Sequence, residues 1–154
     1  MNGQPRPQEV QHDLAGTIPA ELAVVLQAYG GAVDCAYLFG SAARGDTGPL
    51  SDLDIGLLLA ESVGSEASAD IAAAVAGQLQ KLAGPTVDVT ILNDSPPALQ
   101  HRVIRDGQPV FVGNARGRVR FETGVLREFL DFQPVLERYD QALLARAREG
   151  RLGG

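Results

Sequence analysis

The chain has 154 residues, 45% apolar and 21% charged, the size and balance of one globular domain that buries about two-thirds of the surface of its unfolded form. No apolar run approaches the roughly 18 residues of a membrane span, and Met1-Asn2-Gly3-Gln4-Pro5 lacks a signal-peptide core, so a cytoplasmic protein with no membrane partner is expected. The net charge of −6 is uneven: 13 acids face 5 bases in residues 1–114, and 6 acids face 8 arginines in 115–154. Such an acidic body argues against direct binding to nucleic acid, which needs a basic surface.

Residues 1–13 are polar, hold two prolines and read as a flexible arm ahead of a single domain spanning 14–154. Thr17, Pro19 and Glu21 are helix-start signals, Leu22, Val25, Leu26 and Tyr29 follow at helical spacing, and Gly30-Gly31 ends the helix. Val33 to Phe39 is a mostly apolar run bounded by glycines, the pattern of a buried strand, and its Cys35 is read as a buried strand residue. As the only cysteine, Cys35 leaves no internal disulfide and no cysteine-only metal site. Ala42 to Gly48 begins as a short helical turn before the Gly48-Pro49 loop, and Leu53 to Leu59 is a second strand. After the Ser62-Val63-Gly64-Ser65 linker, Ile71, Val75, Leu79 and Leu82 mark a helix stopped by Gly84-Pro85.

Val87 to Leu92 reads as a third strand, with Val87, Val89 and Ile91 on one face and Asp88 and Thr90 on the other. A short helix from about Pro97 to Asp106 leads into a fourth, edge strand, Gln108 to Val112. From about Arg118 the chain reads as helical, with a break near Asp131-Phe132-Gln133-Pro134, where Asp131 or Gln133 would cap a second helix starting at Pro134. The arginines of this tail suit a solvated helix face of mixed charge better than a partner surface or a phosphate contact. The expected class is α/β (α+β), a small mixed sheet of about four strands flanked by helices.

The chemistry concentrates in Leu38-Phe39-Gly40-Ser41 and, ten residues on, Asp52-Leu53-Asp54. Alternate positions of a strand share a face, so Asp52 and Asp54 would stand side by side, a repulsion that a cation relieves. A Gly-Ser turn offers backbone N–H groups and a hydroxyl to an anion. If the Asp88 strand neighbours the Asp54 strand, three carboxylates converge, a donor set for Mg²⁺ or Mn²⁺ together with phosphate oxygens and water. Two such ions, roughly 3.5–4 Å apart, serve nucleophile and leaving pyrophosphate in in-line transfer at a nucleotide's α-phosphate.

In that arrangement Asp52 and Asp54 are shared by both ions, and Asp88 holds the nucleophile's ion or acts as its base. Gly40 keeps the backbone clear of the triphosphate, Ser41 donates to its β/γ oxygens, and Arg44 is a candidate phosphate contact. Asp46 reads as a loop residue and His101 as surface or packing. A serine-hydrolase reading fails because Ser41 lacks the Gly-x-Ser-x-Gly elbow, and a P-loop fails because the sole lysine, Lys81, follows no glycine-rich loop.

The pattern Gly40-Ser41-x10-Asp52-x-Asp54 with Asp88 on a later strand resembles the polymerase-β-type nucleotidyltransferase superfamily. The small size, Leu38-Phe39-Gly40-Ser41-Ala42-Ala43-Arg44-Gly45, Ser51-Asp52-Leu53-Asp54-Ile55 and His101-Arg102-Val103-Ile104-Arg105-Asp106-Gly107 with Pro109-Val110-Phe111 are similar to its minimal nucleotidyltransferases. Phe121-Glu122, Phe129-Leu130-Asp131-Phe132 and Tyr139-Asp140 resemble the tail of MntA-type antitoxins, so the likeness covers about residues 18–149.

The resemblance implies ATP and Mg²⁺ as substrate and cofactor, a HEPN-domain toxin, usually an RNase, as hetero-oligomeric partner, and transfer of AMP onto a toxin tyrosine. It matches Gly40 and Ser41 to the nucleotide-binding turn and Asp52, Asp54 and Asp88 to the metal carboxylates. Two alternatives stand beside it: nucleotidyl transfer to a small molecule such as an aminoglycoside, for which the roughly forty residues after the fourth strand leave little acceptor-binding room, and a non-catalytic module that masks the toxin by contact.

Overall fold

The computed structural model describes residues 14–45, 52–83 and 86–150. Two apolar runs form its central strands, β1 (Val33–Phe39) and β2 (Leu53–Leu59), with the bounds read from sequence. Both are buried almost throughout, because helices cover each face of the sheet. β3 (Val87–Ile91) and β4 (Gln108–Val112) complete the order β3-β2-β1-β4. β1 runs antiparallel to β2 and β4, and β2 runs parallel to β3. β4 is an edge strand, the position in a sheet that tolerates a proline such as Pro109, and its pairing with β1 shifts register next to the Tyr37–Pro109 pair.

Alternation divides the core in two. Val33, Ala36, Leu38, Leu53, Ile55, Leu57 and Leu59 face α1 (Leu14–Gln27) and α2 (Ser65–Ala83), packing on Leu22, Leu26, Val75 and Leu79. Cys35, Tyr37, Phe39 and Leu58 face the other way, onto Leu92 and Val103, with Phe121 against them. That second layer is built by α3 (Pro97–Asp106) and α4 (Ala115–Arg148). Asp54 alternates onto this second face, so α3 is the helix that overlooks it.

Two side chains fix the second layer. Tyr37 donates from its hydroxyl to Glu122 Oε1 at 2.8 Å, and the same oxygen accepts from Arg118 Nε at 2.8 Å. Burial and then the bond to Glu122 push the Tyr37 phenol far above its usual range, so it stays a donor. At the far end of the β2–β3 pair, Asn93 accepts from Leu59 N at 2.9 Å and donates to Leu59 O at 2.8 Å, closing the ladder with a side chain.

The structure corrects the sequence reading in four places. α1 starts at Leu14, ahead of Thr17, because Leu14 and Ala15 are strong helix formers; it ends at Gln27, and Gly30–Ala32 make a separate 3-10 turn. β3 stops at Ile91, one residue early, with Leu92 buried just beyond it. Leu82, placed on the apolar face of α2, is 56% exposed.

The largest correction is α4, one continuous 34-residue helix that starts before Arg118 and takes in Pro134. A proline costs the Leu130 carbonyl its helical partner, but Leu130 is exposed, which leaves that carbonyl open to water. Neither Asp131 nor Gln133 caps a new segment: Gln133 Nε2 donates to Glu137 Oε1 at 3.4 Å instead. The cap of α4 is Asn114, whose side chain accepts from Gly117 N at 3.2 Å. The arm 1–13, Asp46, Gly48-Pro49 and Gly84-Pro85 lie outside the described residues.

Candidate active site

β1 ends at Phe39, paired with Asp54, and the chain turns at Gly40. Gly40 has φ +71°, a left-handed conformation natural to glycine, and a Cβ there would collide with Asp54 Oδ2. The turn and the carboxylate are therefore in direct apposition, and only a residue without a side chain permits it. Arg44 N donates to Ser41 O at 3.2 Å and Gly45 N to Ala42 O at 3.3 Å, so the residues after Gly40 form tight turns, as the sequence indicated.

The parallel β2–β3 register pairs Asp54 with Asp88 and Gly56 with Thr90. Paired positions share a face, and Asp54, Asp88 and Thr90 line one cavity of about 500 Å³ with Phe39, Gly40, Ser41 and Arg44. The expectation that the Asp88 strand neighbours the Asp54 strand is borne out. Leu99, Arg102 and Asp106 close the cavity from α3. Asp52 precedes β2, is exposed and does not line the cavity. Among the described residues no three acidic, histidine or cysteine side chains are grouped closely enough to hold a metal ion as they stand.

Electrostatics nevertheless tie the three carboxylates together. Burial pushes the Asp54 carboxyl above its ordinary pKa, the Asp88 and Asp52 charges push it further, and Arg102 pulls it back. A carboxylate crowded by two others is one that a hard cation satisfies, and Asp52, Asp54 and Asp88 fit such an ion chemically.

His101, read from sequence as surface or packing, stacks on Phe129 of α4 with centroids 3.6 Å apart and 5° between planes. Cys35 is fully buried, as expected of a strand residue. The α3 wall was not read from the sequence, although Leu99, Arg102 and Asp106 at i, i+3 and i+7 do mark one helical stripe. The sequence shows the stripe; only the packing shows which way it faces.

Residues 21–116 match the family described as Polymerase beta, Nucleotidyltransferase. The chain belongs to the polymerase-β nucleotidyltransferase family. This nucleotidyltransferase matches no curated protein in sequence. Its fold is shared by a chain in the crystal structure of a toxin-antitoxin with AMP-PNP, at 20% identity and TM-score 0.66 over 82% of this chain and 98% of that one. A chain from the tri-AMPylated Shewanella oneidensis HEPN toxin in complex with MNT antitoxin is 17% identical, with TM-score 0.62 over 84% and 98%. A chain of an MntA-HepT toxin-antitoxin structure is 18% identical, with TM-score 0.61 over the same shares. At these identities the likeness of this nucleotidyltransferase to them is one of fold. No helix among its described residues is long and apolar enough to cross a membrane.

Proposed function

We propose that this nucleotidyltransferase is an antitoxin that transfers AMP from ATP, with Mg²⁺, onto a tyrosine of a partner HEPN-domain toxin in the cytoplasm and so silences it. The observation that carries the reading is the β2–β3 register, which sets Asp54 beside Asp88 on a cavity that Gly40 and Ser41 also line. The tyrosine oxygen forms its bond to the α-phosphorus as the bond to pyrophosphate breaks, and the phenol proton passes to Asp88. Gly40 leaves room for the phosphate chain, while Ser41 and Arg44 hold its β and γ oxygens. Asp52, Asp54 and Asp88 would hold the metal, which supplies charge neutralisation and activates the nucleophile. The choice of acceptor is supported by the shared fold with chains from HEPN toxin-antitoxin complexes, one of them holding an AMPylated toxin.

One observation favours masking by contact as a second activity of the same protein. Beyond Phe129, α4 carries Phe132, Val135, Leu136, Tyr139 and Leu144, all about half exposed or more. The test incubates the protein with labelled ATP, Mg²⁺ and the product of the neighbouring reading frame as candidate toxin, with Asp52→Asn/Asp54→Asn as control. Label on the toxin from the parent alone supports transfer; absence of label sinks it. Equal neutralisation by the double variant would make masking the operative activity, and label on an aminoglycoside would move the acceptor to a small molecule.

A further inference from the structure

The cavity has a wall to which the Gly40–Ser41 turn and the carboxylates of β2 and β3 contribute nothing. On α3, Leu99, Arg102 and Asp106 face it, and the two arginines that line it, Arg44 and Arg102, differ in their bonding, as does Arg105 next to Asp106. Arg105 is held by Asp106 through two hydrogen bonds, Nε to Oδ1 and Nη2 to Oδ2, each 2.8 Å. Arg44, on the turn side, has bonding of its own. Arg102 makes no hydrogen bond or ion pair among the described residues. Its charge is felt by Asp54 and by Asp106, but neither carboxylate holds the guanidinium in a hydrogen bond, and Asp106 is paired with Arg105.

The position of Arg102 is set by packing rather than by chance. Val103, next to it, is fully buried; His101, on its other side, stacks on Phe129; and Gln100 Nε2 donates to Leu92 O at 2.7 Å. Gly107 N donates to Val103 O at 2.8 Å, ending the helix in register with the cavity. The fixed helix sets where the Arg102 side chain leaves the backbone, and the planar fork of a guanidinium suits two oxygens of one phosphate. The other cavity walls hold carboxylates, which repel a polyanion unless cations intervene.

We infer that Arg102 is a phosphate-binding residue, an arm from α3 that grips the phosphate chain of the nucleoside triphosphate opposite the Gly40–Ser41 turn. This rests on the nucleotidyl-transfer reading of the cavity. The chain is then held from two sides, by the turn after β1 and by a helix that the two-carboxylate motif does not include. Arg102 acts on the charged part of the substrate and leaves the nucleoside alone.

The experiment is a binding titration without acceptor, using ATP and adenosine as separate probes, on the parent, Arg102→Ala, Arg102→Lys and the distant charge control Arg120→Ala. Arg102 is exposed, so its variants fold, and circular dichroism checks this. Arg102→Ala weakens ATP binding about tenfold, or about 1.4 kcal/mol; adenosine binding is unchanged, Arg102→Lys falls between, and Arg120→Ala matches the parent. An unchanged ATP affinity in Arg102→Ala, or an equal loss for adenosine, overturns the assignment while the nucleotide reading stands. Unchanged ATP affinity with a raised KM for the toxin would place Arg102 in acceptor recognition instead. If the parent binds no ATP, the nucleotide reading falls, and the role of Arg102 falls with it.

Discussion

Two cavities of nearly the same size lie at opposite ends of the sheet and teach opposite lessons. One, about 480 Å³, is lined by Asp34, Glu61, Asn93, Gln100, Asn114 and Arg120. All but Glu128 of its charged and amide side chains are settled within the fold: Asn114 Nδ2 donates to Asp34 Oδ1 at 3.1 Å, Arg120 pairs with Glu61 at 3.1 Å, and Asn93 and Gln100 bind backbone. The other holds Asp54 and Asp88 with the Gly40–Ser41 turn, and there carboxylates face carboxylates. Polar groups that satisfy one another hold a fold together. Polar groups that oppose one another are kept for something that arrives later.

The sharpest way to break this contrast is to remove one acid from each end. Asp54→Asn should lower nucleotidyl transfer by about 10²–10³-fold or more without unfolding the protein; a single-turnover assay with labelled ATP measures it, and retention of full rate would remove Asp54 from the site. Gly40→Ala should come next, with a stability loss of about 2 kcal/mol or more from the left-handed backbone and the collision with Asp54, read by urea unfolding. Asp34→Ala should cost about 1–2 kcal/mol by undoing the Asn114 clasp, yet leave turnover per folded molecule at the parental value.

The smallest effect is on pH. Because the folded-state pKa of Asp54 is raised, its contribution to stability is complete below the ordinary value of 3.8 and is lost as pH rises through the raised value. The parent should therefore gain stability relative to Asp54→Asn as pH falls across that window. Parallel stability curves for the two proteins would show that the crowding is not felt.

The same contrast explains what the sequence revealed. β1, β2, α3 and β4 were legible to the residue because glycine or proline bounds β1, α3 and β4, and β1 and β2 are unbroken runs buried on two faces. The carboxylate pair was legible once Asp88 was placed on an alternating strand. The unbroken α4 was not, because Pro134 breaks a helix only where its missing bond cannot be replaced, and exposure is a tertiary property. Arg102 was passed over because Arg105 lies three residues away on the same helix and only packing decides which one lines the cavity. Asn114, the true cap of α4, carries a local signal of its own, a capping residue directly before Ala115, whereas neither Asp131 nor Gln133 caps a helix start.

Asn93 has a consequence for how this fold tolerates change. In a parallel pair a slip of one residue would turn Asp88 to the opposite face, away from Asp54. The side-chain clamp of Asn93 on both backbone groups of Leu59 forbids that slip from the inert end of the strands. Insertions and deletions in the crossover through α2 are thereby uncoupled from the chemistry, since the alignment is made after the crossover is complete. The short run from Asp88 to Asn93 has no such latitude: its length is the gauge by which the two carboxylates are brought level.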